Sequence, residues 1–148
     1  MTEVKLSMTI DQAEVVSEAL DLYSRVGMGQ IHELVRYALF GKIPKFTMDP
    51  VEKQIGSDID RDRLEDAIQK FKAALGYSSL FGGYSITSSN VPLAARRAHE
   101  IQKVLDKELV EYSDRVNGVI DPFKGVRYDG LVLRVTNDAR VPKCEIDE

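Results

Sequence analysis

Residues 126–135 read Val126-Arg127-Tyr128-Asp129-Gly130-Leu131-Val132-Leu133-Arg134-Val135, and this stretch decides the fold class. Asp-Gly readily supplies the positive φ angles of a two-residue hairpin turn. Here it stands between two short runs rich in β-branched, aliphatic and aromatic residues. Leu131, Leu133 and Val135 alternate with their neighbours at the period of a strand with one buried face. The pattern predicts a hairpin, with a further strand around Val141 to Ile146 returning after Asn137-Asp138. At the other end of the chain, Val4, Leu6, Met8 and Ile10 alternate in the same way and predict an N-terminal strand at the sheet edge.

Between these ends the periodicity is helical. Thr9 and Asp11 offer N-cap oxygens, and Glu14 stands three residues after Asp11, as a capping box would place it. A helix from about Gln12 to Val26 carries Val16, Ala19, Leu20 and Tyr23 on one stripe, widened by Val15, Leu22 and Val26. Gly27-Met28-Gly29 stops it. A second helix from near Gln30 buries Ile31, Leu34, Val35, Ala38 and Leu39, and ends at Gly41 and Pro44. Residues 41–58 read as loop. A third helix runs from Ile59 or Asp60 to Leu75, with Leu64, Ala67, Ile68, Phe71 and Leu75 as its stripe. The fourth and longest spans about Val91 to Val116, with Pro92 in its first turn and Asn117-Gly118 at its end. The expectation is a single α+β domain over residues 1–148: four main helices packed on a small, mostly antiparallel sheet made by the two chain ends.

Composition excludes several classes. The chain has 148 residues, 43% hydrophobic and 30% charged, which supports a core and argues against disorder. One cysteine and two histidines leave neither a disulfide scaffold nor a four-ligand Cys/His zinc site. No apolar run approaches the roughly 20 residues of a membrane span, and the N-terminus alternates instead of forming the apolar block of a signal peptide. These features suggest a cytoplasmic protein. A net charge of −4 argues against general nucleic-acid binding.

Two segments resemble small accessory proteins of tailed bacteriophages and prophages. One is Leu20-Asp21-Leu22-Tyr23-Ser24-Arg25-Val26-Gly27-Met28-Gly29-Gln30. The other is Gly83-Tyr84-Ser85-Ile86 with the following Val91-Pro92-Leu93-Ala94-Ala95-Arg96-Arg97-Ala98 and the helix it opens. The resemblance covers most of residues 5–112 and carries no catalytic motif. It implies a viral origin and action inside a host cell, where such proteins often counter host defences, some by binding a signalling nucleotide and some by binding a host protein.

The chemistry-bearing residues favour binding over turnover. Cys144 lies near the C-terminus, and a Cys–His pair would need His32 or His99 brought to it by folding, in an electropositive niche. A metal-free phosphodiesterase would need the same two histidines, and neither stands in an HxT or HxS tract. The acidic run Asp58 to Asp66 fails as a calcium loop, because positions six and twelve are Arg63 and Gln69. No Gly-rich nucleotide-hydrolase or Rossmann fingerprint is present. No cofactor, metal or catalytic residue is therefore expected.

Residues 76–90 stand out, with three Gly, five Ser, three aromatics and no charge. They lead into the fourth helix, whose first turns carry Arg96 and Arg97. Free N–H groups at a helix start attract anions, arginine forks suit phosphate, and an aromatic ring can stack on a base. The expected ligand set is Tyr84, Ser85, Ser88, Ser89, Arg96 and Arg97. His32 and Arg36, at i and i+4 on the second helix, form a second polar group. The expected partner is a small phosphate-bearing, nucleotide-derived ligand. The alternative is a host enzyme that the chain binds and inhibits. The fourth helix also carries enough apolar surface for a homo-oligomer seam.

Overall fold

Thr9 starts the first helix by a reciprocal bond. Its hydroxyl accepts from the Gln12 backbone N–H, and the Gln12 side chain accepts from the Thr9 N–H at 2.9 Å. The cap is Thr9, one of the two N-cap candidates, and the capping box uses Thr9 and Gln12, two residues earlier than the Asp11–Glu14 pair that the sequence suggested. In the computed structural model, which describes residues 2–44, 60–118 and 134–147, four helices follow in order. They are α1 (Ile10–Gly27), α2 (Glu33–Leu39), α3 (Arg61–Ala74) and α4 (Leu93–Asn117). Asp60 caps α3 through the Arg63 N–H at 3.1 Å.

Helices α1 and α4 make the main packing interface. At one end Ala13 meets Leu105 and Leu109, with Met8, Ile10, Val16 and Cys144 packed around them. At the other, Met28 meets Val91 and Ala95, joined by Ile86. Gly27 is what allows the second contact, because a methyl group there would overlap the Cβ of Ala95.

The α+β expectation is overturned. Among the described residues there are four helices and no strand, so the architecture is all-helical. The hairpin read over 126–133 lies outside the described residues. Residues 2–9 and 141–147 run without ladder pairing. Val4 and Leu6 are 92% and 75% exposed, while Met8 and Cys144 pack, with Ile10 of α1, against the α1–α4 core of Ala13, Leu105 and Leu109. Alternation marks a chain with one face against something, and here the something is a helix pair. Glu3 and Arg140 form an ion pair between the two terminal segments.

The stripe on α3 also differs. Phe71 and Leu75, expected inside, are more than half exposed, whereas Lys72 is 0% exposed. The inward line is the half-buried Leu64 and Ile68 and the buried Lys72, at successive four-residue steps. No helix among the described residues is long and apolar enough to cross a membrane.

Candidate functional site

The turn between α1 and α2 and the loop 76–90 are built against each other. The α1 helix gives way at Met28, whose carbonyl accepts the Tyr84 backbone N–H at 2.7 Å. Gly29 has φ +81°, and a side chain there would overlap the Tyr77 ring, so the aromatic lies directly over the turn. The ring of Tyr77 packs edge-on to that of Tyr84, with centroids 6.2 Å apart.

Lys72 anchors the same loop from beneath. Its ammonium donates to the Leu80 carbonyl at 2.6 Å and also to the Gly82 carbonyl. It lies 5.0 Å from the centre of the Tyr77 ring. Burial pushes its pKa below the ordinary lysine value, because a low-dielectric site disfavours the charged form.

On the α2 side, Glu33 is the hub of a charged group. Arg25 Nη1 stands 3.5 Å from its carboxylate, Arg36 Nε 3.4 Å and His32 Nε2 3.8 Å. Arg25 is also held by Asp21 at 2.7 Å and by Gln30 at 3.3 Å. His32 sets its ring edge-on to Phe81 with centroids 5.1 Å apart, which ties α2 to the loop. Its Nδ1 is buried without a hydrogen-bond partner among the described residues. Arg36 remains more than half exposed, as does Phe81 at 71%. The result is a surface on which arginines, an imidazole and aromatic rings stand together, with the buried Lys72 charge below.

Of the residues singled out from sequence, His32 and Tyr84 are brought to this turn–loop unit, and Arg36 joins it through Glu33. Ser85 shares a hydrogen bond with Thr87 at 3.0 Å. Ser88 shapes the approach to α4, its carbonyl accepting the Val91 N–H and its hydroxyl the Asn90 N–H. Ser89 is exposed. Arg97 is engaged elsewhere: it grips Asp138 with two bonds of 2.7 Å and holds that carboxyl below its ordinary range. Arg96 is half-buried, and its Nε has no partner among the described residues.

Sequence reasoning missed Glu33 as a hub and Lys72 as an anchor. The second was signalled by its place four residues after Ile68. Cys144 packs as an apolar residue; burial pushes its thiol up, away from the thiolate a nucleophile needs. Among the described residues no three His, Cys, Asp or Glu side chains converge on a possible metal position.

The two histidines set an acid limit on stability. Burial, and then the Lys72 charge, lower the His32 pKa from 6.5. Burial, and then Lys103, lower that of His99. A group whose folded pKa is depressed binds more protons in the unfolded chain just below its unfolded value, so stability rises with pH across that window. The thermal midpoint should therefore start to fall as pH drops through 6.5. A scan from pH 7.5 to 5.5 checks this, and a flat or rising profile on acidification would contradict it.

No family model matches the chain, and neither a curated protein nor a solved structure matches it.

Proposed function

We propose that the chain is a non-enzymatic binding protein for a small, phosphate-bearing, nucleotide-derived ligand, and that it serves a bacteriophage by sequestering a host defence signal. The observation that carries this reading is the joining of His32 to the aromatic loop through Phe81, with Arg36 held beside it on Glu33. Arg36 would take phosphate by a bidentate fork. An exposed Tyr84 or Phe81 ring would stack on a base. His32, kept neutral near pH 7 by its lowered pKa, would supply a hydrogen bond without adding charge. The two segments that carry the phage resemblance also meet in space, through the Tyr84–Met28 bond and the Gly27–Ala95 contact, which supports treating them as one unit.

Arg97 would have to leave Asp138 to reach a phosphate, so the weight within the ligand set lies on His32, Arg36 and Tyr84. Ser85, Ser88, Ser89 and Arg96 form the second position, at the head of α4. Native mass spectrometry of the purified protein, followed by denaturation, is expected to release a phosphate-bearing small molecule. An Arg36→Ala variant should weaken its rebinding about tenfold or more, the loss expected for a charge-assisted phosphate contact. An Arg96→Ala, Arg97→Ala double variant decides between positions: retained affinity favours α2, and lost affinity favours the head of α4. If both variants bind as the parent does, the site is wrong.

A second reading is inhibition of a host enzyme by direct contact. It is favoured by the exposure of Phe40, Phe71 and Phe81, since apolar side chains in water often mark a protein contact. A stoichiometric protein partner with no small-molecule adduct would select it.

A further inference from the structure

A second surface lies between α1 and α4 and meets the turn–loop unit at Asp21, which holds Arg25. Glu14, Glu18 and Asp21 stand at i, i+4 and i+7 on one face of α1. Together with Asp106 and Gln102 of α4, and with Leu109, they line a groove of about 400 Å³. Such a row spans about 10 Å at a rise of about 1.5 Å per residue. Two of its carboxylates already hold cations of the chain itself: Lys42 donates to Glu18, and Arg25 donates to Asp21. Glu14 and Asp106 have no such partner among the described residues.

One of the lining residues also carries a polar atom left unmatched. Gln102 is only 6% exposed, and its Oε1 is buried with no hydrogen-bond donor among the described residues. An orphaned buried acceptor is costly, and here it belongs to a residue lining an acidic groove. A cationic N–H donor would satisfy it while meeting Glu14 and Asp106.

The carboxylates are strung along the helix and do not converge on a point, as a metal ion would need. Their spacing suits a chain carrying several positive charges with apolar stretches between them. Short methylene spacers span a comparable distance and can lie on Leu109. The Lys42 side chain on Glu18 is an internal example of an alkylammonium held by this row. We propose that the α1–α4 groove binds a linear aliphatic polyamine, with Glu14, Asp106 and the Gln102 carbonyl as the receiving groups. This proposal is independent of the phosphate-ligand reading, since it shares no receiving group with it.

Equilibrium dialysis of the full chain against radiolabelled spermidine, at a salt concentration of about 0.15 M to screen diffuse attraction, tests it. One saturable site per chain is expected. A Glu14→Gln, Asp106→Asn double variant should weaken it about tenfold, and Gln102→Leu about fivefold, with unchanged circular dichroism, as befits lost charge-assisted bonds. An Asp62→Asn, Asp66→Asn variant removes as much charge from α3 and should leave affinity unchanged. An equal loss in that variant, or equal displacement by magnesium at matched ionic strength, would reduce the effect to general screening and overturn the proposal. Unaltered binding in the Glu14, Asp106 double variant would overturn it as well. Should Gln102→Leu fail to fold, the two charge variants still decide.

Discussion

Replacing Lys72 by methionine is expected to cost about 2 kcal/mol of stability and to release the loop 76–84 from the α1–α2 turn. Methionine keeps an unbranched chain in the buried volume, so the change isolates the ammonium. Two effects oppose each other. Removing a buried charge relieves a desolvation penalty, and no carboxylate among the described residues pairs with Lys72. Against this, the Leu80 and Gly82 carbonyls lose a charged donor, a type of bond worth about 1.5–3 kcal/mol each, and the contact with the Tyr77 ring is lost. The bonds win, though only partly, because water can reach carbonyls in a loop this exposed. For a chain of this length about 2 kcal/mol lowers the melting midpoint by about 4–8 °C. Hydrogen exchange should show faster exchange at the Tyr84 amide, whose bond to Met28 depends on where the loop sits. A parent-like midpoint with unchanged Tyr84 protection would show that Lys72 merely fills space. The ligand binding proposed for the turn should fall with the loop, because Phe81 and Tyr84 are carried by it.

The helices were legible in the sequence because their signals are local. The four-residue steps of α1 and α4, the glycines after α1 and Asn117-Gly118 after α4 sit within a few turns of the residues they govern. Boundaries moved by one to three residues: α2 begins at Glu33 instead of near Gln30 because residues 30–32 form a turn. The sheet was misread because alternation reports that one face is buried and says nothing of the neighbour's identity. Met8 and Ile10 answer it by packing against the cluster of Ala13, Leu105 and Leu109. The buried line of α3 was misread because hydrophobicity ranks Lys72 below Phe71. The deciding fact lies outside the helix: two loop carbonyls eight and ten residues on need a donor. In the candidate site, His32 and Arg36 could be named as a pair from their i, i+4 spacing. That Phe81 would come to His32, and that Arg97 would be taken by Asp138, depends on chain segments 41 to 49 residues away, and no local pattern encodes such distances.

Glu100 makes the largest prediction. It is 4% exposed, and its carboxylate collects three donors from the C-terminal segment. They are the Val135 N–H at 2.5 Å, the Thr136 N–H at 2.6 Å and the Thr136 hydroxyl at 2.8 Å. Two converging backbone N–H groups and a hydroxyl make a concavity suited to an anion, and the chain fills it with its own side chain. Arg97 closes the same segment one turn away by gripping Asp138. Glu100→Ala leaves all three donors without acceptors in a buried site. Each orphaned group costs about 1 kcal/mol or more, so a total of about 3 kcal/mol is expected, lowering the midpoint by about 6–12 °C. The loss should be local first: limited trypsin digestion should cut at Arg134 and Arg140 well before the helices. Glu100→Gln separates charge from geometry. Its amide oxygen can still accept both backbone N–H groups, and its amide nitrogen can donate to Thr136 if that hydroxyl reverses, so only about 1 kcal/mol should be lost, that of exchanging charged for neutral hydrogen bonds. If Gln is as damaging as Ala, the negative charge itself holds the segment. If neither variant moves the midpoint or the digestion pattern, the C-terminal segment is held by the packing of Cys144 on Leu105 and Leu109, and the Glu100 contact adds nothing to it.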